Sequence, residues 1–189
     1  MNKKAERILK TTIRLFLNEG VNKVTMDQIA ENAKASKVTV YKYFLDKDTL
    51  YYETAKYIFR SKEEQLQDII ITSESLVSKL QKFLDVVSEF SDSGLFSLCK
   101  ELSEYSMEIN HEYDTYLKVY KDTMLTLIDK GIEEKQIKQG LDRMLIFIYI
   151  DMGVEYYQNN SAYRYKINHD KKFQEAYLSF FIGNVFKNL

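Results

Sequence analysis

The stretch from Val24 to Phe44 constrains this chain more than any other, because it spells two short helices joined by a tight turn. Thr25 precedes an apolar-periodic run and Gln28 follows three residues later, the spacing of a capping box in which each partner's side chain takes the other's backbone N–H. Ile29, Ala30 and Ala33 form a narrow apolar face of small residues, which lets a second helix come close. Lys34-Ala35 is the predicted turn, and Ser36 can cap the helix after it. Val40 and Phe44, at i and i+4, are predicted to face inward, leaving Lys37, Tyr41 and Lys42 outside.

The rest of the chain is predicted to be helical as well. Its 189 residues include no Pro and 6 Gly, which disfavours a turn-rich β fold. No long stretch alternates at period two, and there is no repeat or low-complexity tract. The apolar fraction of 45% is enough for a packed core. Cys99, the single cysteine, excludes an internal disulfide and any need for an oxidising compartment. No apolar core follows the first lysines, so no signal peptide is read, and the run Met144 to Ile150 is too short to span a membrane. A cytoplasmic protein with no membrane association is expected. Charge is uneven: residues 1–50 carry ten Lys and Arg against six Asp and Glu, a net of +4, which leaves −5 of the total −1 on the remainder. A basic N-terminal end on an acidic body supports a local nucleic-acid-binding module.

Helical periodicity predicts a first helix from about Lys3 to Asn18, with Ile8, Leu9 or Ile13, Phe16 and Leu17 as its apolar stripe and Gly20 as its stop. A fourth helix starts near Lys47 and continues toward Ile69 without Gly or Pro, a rigid link that can transmit a movement. Thr72-Ser73 offers the next cap, before Leu76, Leu80, Phe83, Leu84, Val87 and Phe90 recur at helical spacing up to Asp92-Ser93-Gly94. Further helices are expected over Leu95–Glu108, Glu112–Lys130, Leu141–Gln158 and Asp170–Phe186.

Two short helices and a tight turn suit a helix-turn-helix, in which one helix braces and the next enters the major groove of DNA. The segment from Ala5 to Leu50 resembles the tetracycline-repressor-like (TetR) family of bacterial regulators. The resemblance rests on Ile13-Arg14-Leu15-Phe16, Glu19-Gly20, Thr25, Ile29-Ala30, Ala33, Ser36-Lys37, Thr39-Val40-Tyr41-Lys42-Tyr43-Phe44 and Lys47-Asp48-Thr49-Leu50. Lys34 departs from it where a turn Gly is common, and Val38 where Gly, Pro or Ala is common. Lys34 is therefore expected in the left-handed conformation, which is costly for a residue with a Cβ. The resemblance implies an all-α chain: a three-helix DNA-binding head over residues 1–50, then a helical ligand-binding and dimerisation domain over 51–189.

The head then divides its side chains between bases and phosphates. Lys37, Thr39 and Lys42 are placed to reach base edges, and the Val38 or Thr39 methyls to meet a thymine methyl. Tyr41, Tyr43 and Lys47 suit phosphates, with Thr25 and the N-terminus of the second helix, and the resemblance supports those phosphate roles; Ser36 completes the DNA-binding set. The family also implies a two-fold dimer through the last two long helices and, by default, repression. On those helices Met144, Phe147 or Ile148, Asp151 or Met152, and Glu155 sample one side of the first, and Ala176, Phe180 and Gly183 one side of the second.

Of the 26 aromatic residues 22 follow residue 50, which suits a pocket for a small, mostly apolar effector as well as ordinary helix packing. Phe96, Cys99, Tyr105, Met107, Tyr116, Tyr120, Asp151 and Tyr156 are the candidate ligand residues. Asp151 lies in an apolar run, where a carboxylate is expensive to bury unpaired; a cationic ligand, a dimer partner or a nearby Tyr or Lys would each satisfy it. An enzyme is disfavoured. Glu108-x-x-His111 has a di-metal spacing, but no Glu stands three residues before His169, the other histidine. No Gly-rich phosphate loop appears, and no catalytic, metal or cofactor site is assigned. The rival from another class is an architectural or interaction protein that binds DNA without a ligand gate.

Overall fold

The computed structural model describes residues 1–187, apart from the side chains of Leu178, Phe181 and Ile182. Among the described residues the chain is all helical: α1 Lys3–Glu19, α2 Met26–Asn32, α3 Lys37–Tyr43, α4 Lys47–Ile71, α5 Leu76–Asp92, α6 Leu95–Ser103, α7 Met107–Glu133, α8 Arg143–Asn159, α9 Ser161–His169 and α10 Lys171–Gly183. The one exception to helix and turn is an antiparallel bridge between Ile137 and Phe186. Two compact units emerge, Met1–Glu64 with Phe90–Leu117, and Gln65–Glu89 with the chain from Lys118 on. α4, α5 and α7 contribute residues to both.

In the first unit α1 buries Ala5, Ile8, Leu9, Leu15 and Phe16. Leu15 rather than Leu17 completes the stripe; Leu17 is 41% exposed. Gly20, at φ 88°, ends the helix and gives its N–H to the Phe16 carbonyl at 2.9 Å, a conformation that favours Gly. α4 buries Leu50, Tyr51, Ala55, Ile58 and Phe59. The unit is filled by aromatic packing: Phe59 stacks on Tyr116 at 5.8 Å between ring centres, and Phe90 meets Tyr116 and Phe96 edge-on at 5.4 and 5.8 Å.

Several helix ends differ from the sequence expectation. α5 is capped by Ser75, whose hydroxyl accepts the Ser78 N–H at 3.2 Å, not by Thr72-Ser73. α6 stops at Ser103, and α7 begins at Met107, behind Ser106, whose hydroxyl accepts the Ile109 N–H at 3.2 Å. α7 runs through Gly131 to Glu133, and Lys135, just beyond it, takes the positive φ of 57°. The Gln136 and Lys135 N–H groups return to the Gly131 and Ile132 carbonyls at 2.9 and 3.0 Å, the double closure that terminates helices with a left-handed residue. Asn160 was expected only to end α8. It also starts α9, because its side chain accepts the Tyr163 N–H at 2.9 Å.

Phe90 is fully buried between the rings of Phe96 and Tyr116, with the Lys62 ammonium over its face. Phe90→Ala is expected to cost about 3–5 kcal/mol in urea unfolding, as buried aromatic truncations do; a loss below about 1 kcal/mol would mean this core is not packed as described.

Candidate nucleic-acid interface

The head is assembled from α1, α2 and α3, each packed on the other two. α2 and α3 have seven residues each, too short to hold together alone in water. Their geometry is therefore set by caps and by the faces they bury. At the start of α2 the Thr25 hydroxyl accepts the Gln28 N–H at 3.2 Å, and the Gln28 side-chain oxygen accepts the Thr25 N–H at 2.8 Å, closing the capping box. Met26, Ile29, Ala30 and Ala33 are buried beneath it.

Lys34 makes the turn, at φ 48°. The Ala35 N–H reaches the Ala30 carbonyl at 2.9 Å and the Lys34 N–H the Glu31 carbonyl at 3.0 Å, the same closure that ends α7. The Arg7 guanidinium on α1 donates to the Lys34 carbonyl at 3.2 Å and so ties the turn to the first helix. Ser36 then caps α3 by accepting the Thr39 N–H at 3.1 Å, and the two hydroxyls share a further bond of 2.8 Å.

This frame fixes which side of α3 faces out. Val40 and Phe44 are buried at 0% and 3% exposure. Lys37, Val38, Tyr41 and Lys42 form the outward stripe, with Val38 80% exposed. Thr39, Tyr43 and Lys47 are half-buried at its edges, and Tyr43 tilts against Phe44 at 6.4 Å. Lys47 lies 5.3 Å above the Tyr51 ring, whose hydroxyl donates to the Val21 carbonyl at 3.1 Å. Thr25 and Ser36 remain exposed while serving as caps. Of the nine predicted contact residues, Thr25 and Ser36 cap α2 and α3, six lie on α3, and Lys47 opens α4. Sequence reasoning missed Asp27, which holds Lys37 in an ion pair of 2.7 Å. The hydrogen bond that the Lys37 ammonium donates to Asp27 raises the Lys37 pKa above its ordinary value, so the ammonium stays charged. Both side chains are exposed, so releasing Lys37 to another anion costs little.

The second unit contains a cavity of about 300 Å³. α5 supplies Phe83 and Val87 to its wall, α7 Met124, and α8 Val154 and Tyr157. Asn168 of α9 and Gln174 and Tyr177 of α10 close it, and the Tyr157 hydroxyl donates to the Asn168 side-chain oxygen at 3.1 Å. None of the eight residues predicted to hold a ligand lines it. In the first unit Phe96 and Tyr116 pack on Phe90, with Cys99 near Tyr116, and burial pushes the Cys99 thiol and the Tyr116 hydroxyl well above their ordinary pKa values. Tyr105 packs on Tyr51 at 5.0 Å and donates to Asn22 at 2.7 Å; Met107 is 87% exposed. Tyr120 is buried against Phe83 at 5.3 Å, Asp151 is half-buried, and Tyr156 is exposed beside Tyr163 at 4.7 Å. The stripe Leu80-Phe83-Leu84-Val87 was visible in the sequence, but nothing in its spacing distinguishes a cavity wall from a filled core. Glu108 and His111 are exposed on α7, and among the described residues no three His, Cys, Asp or Glu side chains gather where a metal could bind. No helix among them is long and apolar enough to cross a membrane.

Residues 8–54, the span of this head, match the family model of the bacterial regulatory proteins, tetR family. The head is thus of the TetR type. The chain is 27% identical over 149 residues to the HTH-type transcriptional regulator YerO of Bacillus subtilis (strain 168), an alignment covering 70% of this chain and half of that protein's length. It is 24% identical over 157 residues to the fatty acid metabolism regulator protein of the same organism, covering 78% and 80% of the two chains. The fold matches a transcriptional regulator from Saccharomonospora viridis, solved in complex with choline, with a TM-score of 0.77 at 15% identity over 97% of this chain and 98% of that one. The TetR family and these relatives are transcriptional regulators, not enzymes, so the TetR head here is a DNA-binding element.

Within that head, Lys34 in the left-handed region carries strain that Gly would not. Lys34→Gly is expected to stabilise the protein by roughly 0.5–1 kcal/mol in thermal or urea unfolding, the left-handed penalty outweighing the added freedom of the unfolded chain. A destabilised variant would show that the Lys34 conformation is not strained.

Proposed function

We propose that the chain is a cytoplasmic, dimeric, sequence-specific repressor, released from a palindromic operator when a small, mostly apolar ligand enters the body. In this reading residues 1–50 are the DNA-binding head and 51–189 the ligand-binding and dimerisation domain. The observation that carries the DNA half is the outward stripe Lys37, Val38, Tyr41 and Lys42 on a helix whose opposite face is buried. Lys37 and Lys42 would donate to guanine O6 and N7, and Val38 would meet a thymine methyl. Tyr41, Tyr43 and Lys47 would hold phosphates, with Thr25 and Ser36 at the helix starts.

The dimer half is supported by α8. Leu145, Ile148, Met152 and Tyr156 are 58%, 49%, 64% and 55% exposed, and their spacing puts them on one face. Ile146, Phe147, Ile150 and Val154 fill the other face. On α10, Phe180 is 72% exposed. A contiguous apolar stripe of this kind marks a contact surface, and the partner proposed is a second copy. The choice differs in detail from the sequence expectation, since Phe147 faces inward.

The cavity favours a ligand-gated regulator over an architectural DNA-binding protein, for which a filled body would serve better. A ligand releases DNA only by binding one conformation of the body more tightly than the other. The uninterrupted α4, from Lys47 to Ile71, is the proposed mechanical link.

Two substitutions separate the DNA roles. Tyr41→Ala is expected to weaken binding to all duplexes alike. Lys42→Ala should also relax base preference, by about 1–3 kcal/mol at its base pair. Titration of matched and mismatched duplexes at fixed salt reads both, and an unchanged affinity and preference in Lys42→Ala would remove α3 from the groove. For the dimer, Leu145→Glu with Met152→Glu should shift sedimentation from dimer to monomer; an unchanged dimer would place the interface elsewhere.

A further inference from the structure

The cavity's wall is sorted by charge. Phe83, Tyr157, Tyr177 and Phe186 give it aromatic surface, and among the described lining residues there is no Lys, Arg or His. The one formal charge among those residues is the carboxylate of Asp85, exposed on α5. The Gln81 amide donates to that carboxylate at 2.9 Å, which orients it while leaving oxygen lone pairs for another donor. An anionic ligand would find no counter-charge here and would meet Asp85 as a like charge. A cation would find a carboxylate and ring faces that attract positive charge.

We propose that this cavity takes an amphiphilic organic cation, with its apolar body in the pocket and its ammonium head at Asp85. The proposal rests on the reading of the cavity as the effector site and adds to it the charge of the effector. The volume, about 300 Å³, lies at the small end of ligand pockets, which run from roughly 300 to 1,000 Å³. The body must therefore be compact, a short alkyl chain or a single ring system. Because Asp85 is exposed, the head stays in contact with water, and salt weakens the charge preference without abolishing apolar binding.

Three probes with one chain and different heads test this: octyltrimethylammonium, octanol and octanoate, titrated calorimetrically into the full-length protein and into Asp85→Asn and Asp85→Lys. Asp85 is on the surface, so both variants are expected to fold, and a circular-dichroism melt checks it. The ammonium should bind at least tenfold more tightly than octanoate to the wild type. Asp85→Asn should bring the two within about threefold, and Asp85→Lys should reverse the order. Equal binding of all three probes, unchanged in both variants, would overturn the charge assignment while leaving the cavity as an apolar effector site. Failure of all three to bind would overturn the effector-site reading itself, and this proposal with it.

Discussion

The functional surface depends on the burial of Val40 and Phe44 beneath a helix too short to persist by itself. Seven residues give α3 few internal hydrogen bonds, so its direction is decided by what lies under it and by how the chain enters it. Burying an aromatic side chain of this kind is worth roughly 1.5–3 kcal/mol, comparable to the whole gain from a cap. The Lys34 turn and the Ser36 cap then fix the angle, and Arg7 anchors the turn to α1. The exposed stripe follows from this, since the residues not needed for support are the ones left for a partner. Asp27 holds Lys37 in place without committing it, because an exposed ion pair is weak and exchangeable.

The two units use similar side chains to different ends. Around Phe59, Phe90 and Tyr116 the rings meet one another and close the space. Around Phe83, Tyr157 and Tyr177 they leave a chamber. A space of this size forfeits contacts that a filled core would make, and a ligand that enters it restores them and stabilises whichever conformation presents the chamber open. A defect in packing within the second unit is thus compatible with a sensing role, whereas the same defect beneath α3 would loosen the head.

How much was legible in the sequence follows from where the information is local. The capping box at Thr25, the Ser36 cap, the inward Val40 and Phe44 and the left-handed Lys34 depend on neighbours within a few residues, and all were readable. Helix ends that use a less telling residue were not. Lys135 ends α7 although Gly131 looked the better stop, and Asn160 starts a helix where it was read only as finishing one. The Lys37–Asp27 pair joins residues ten apart on different helices, so periodicity does not reveal it. The cavity was the least legible feature. Its wall draws on α5, α7, α8, α9 and α10, and residue type and local sequence, which point to the eight ligand candidates, do not carry the assembly that decides which aromatic fills a core and which borders a void.

The most direct test of the central claim is selection of random duplex DNA on the purified protein, at moderate salt where counterion release has thinned non-specific binding. A dimer presenting two α3 stripes predicts enrichment of a two-fold symmetric site, with half-sites separated by about one helical turn or a multiple of it. A folded protein that enriched no sequence over mixed DNA would contradict the account.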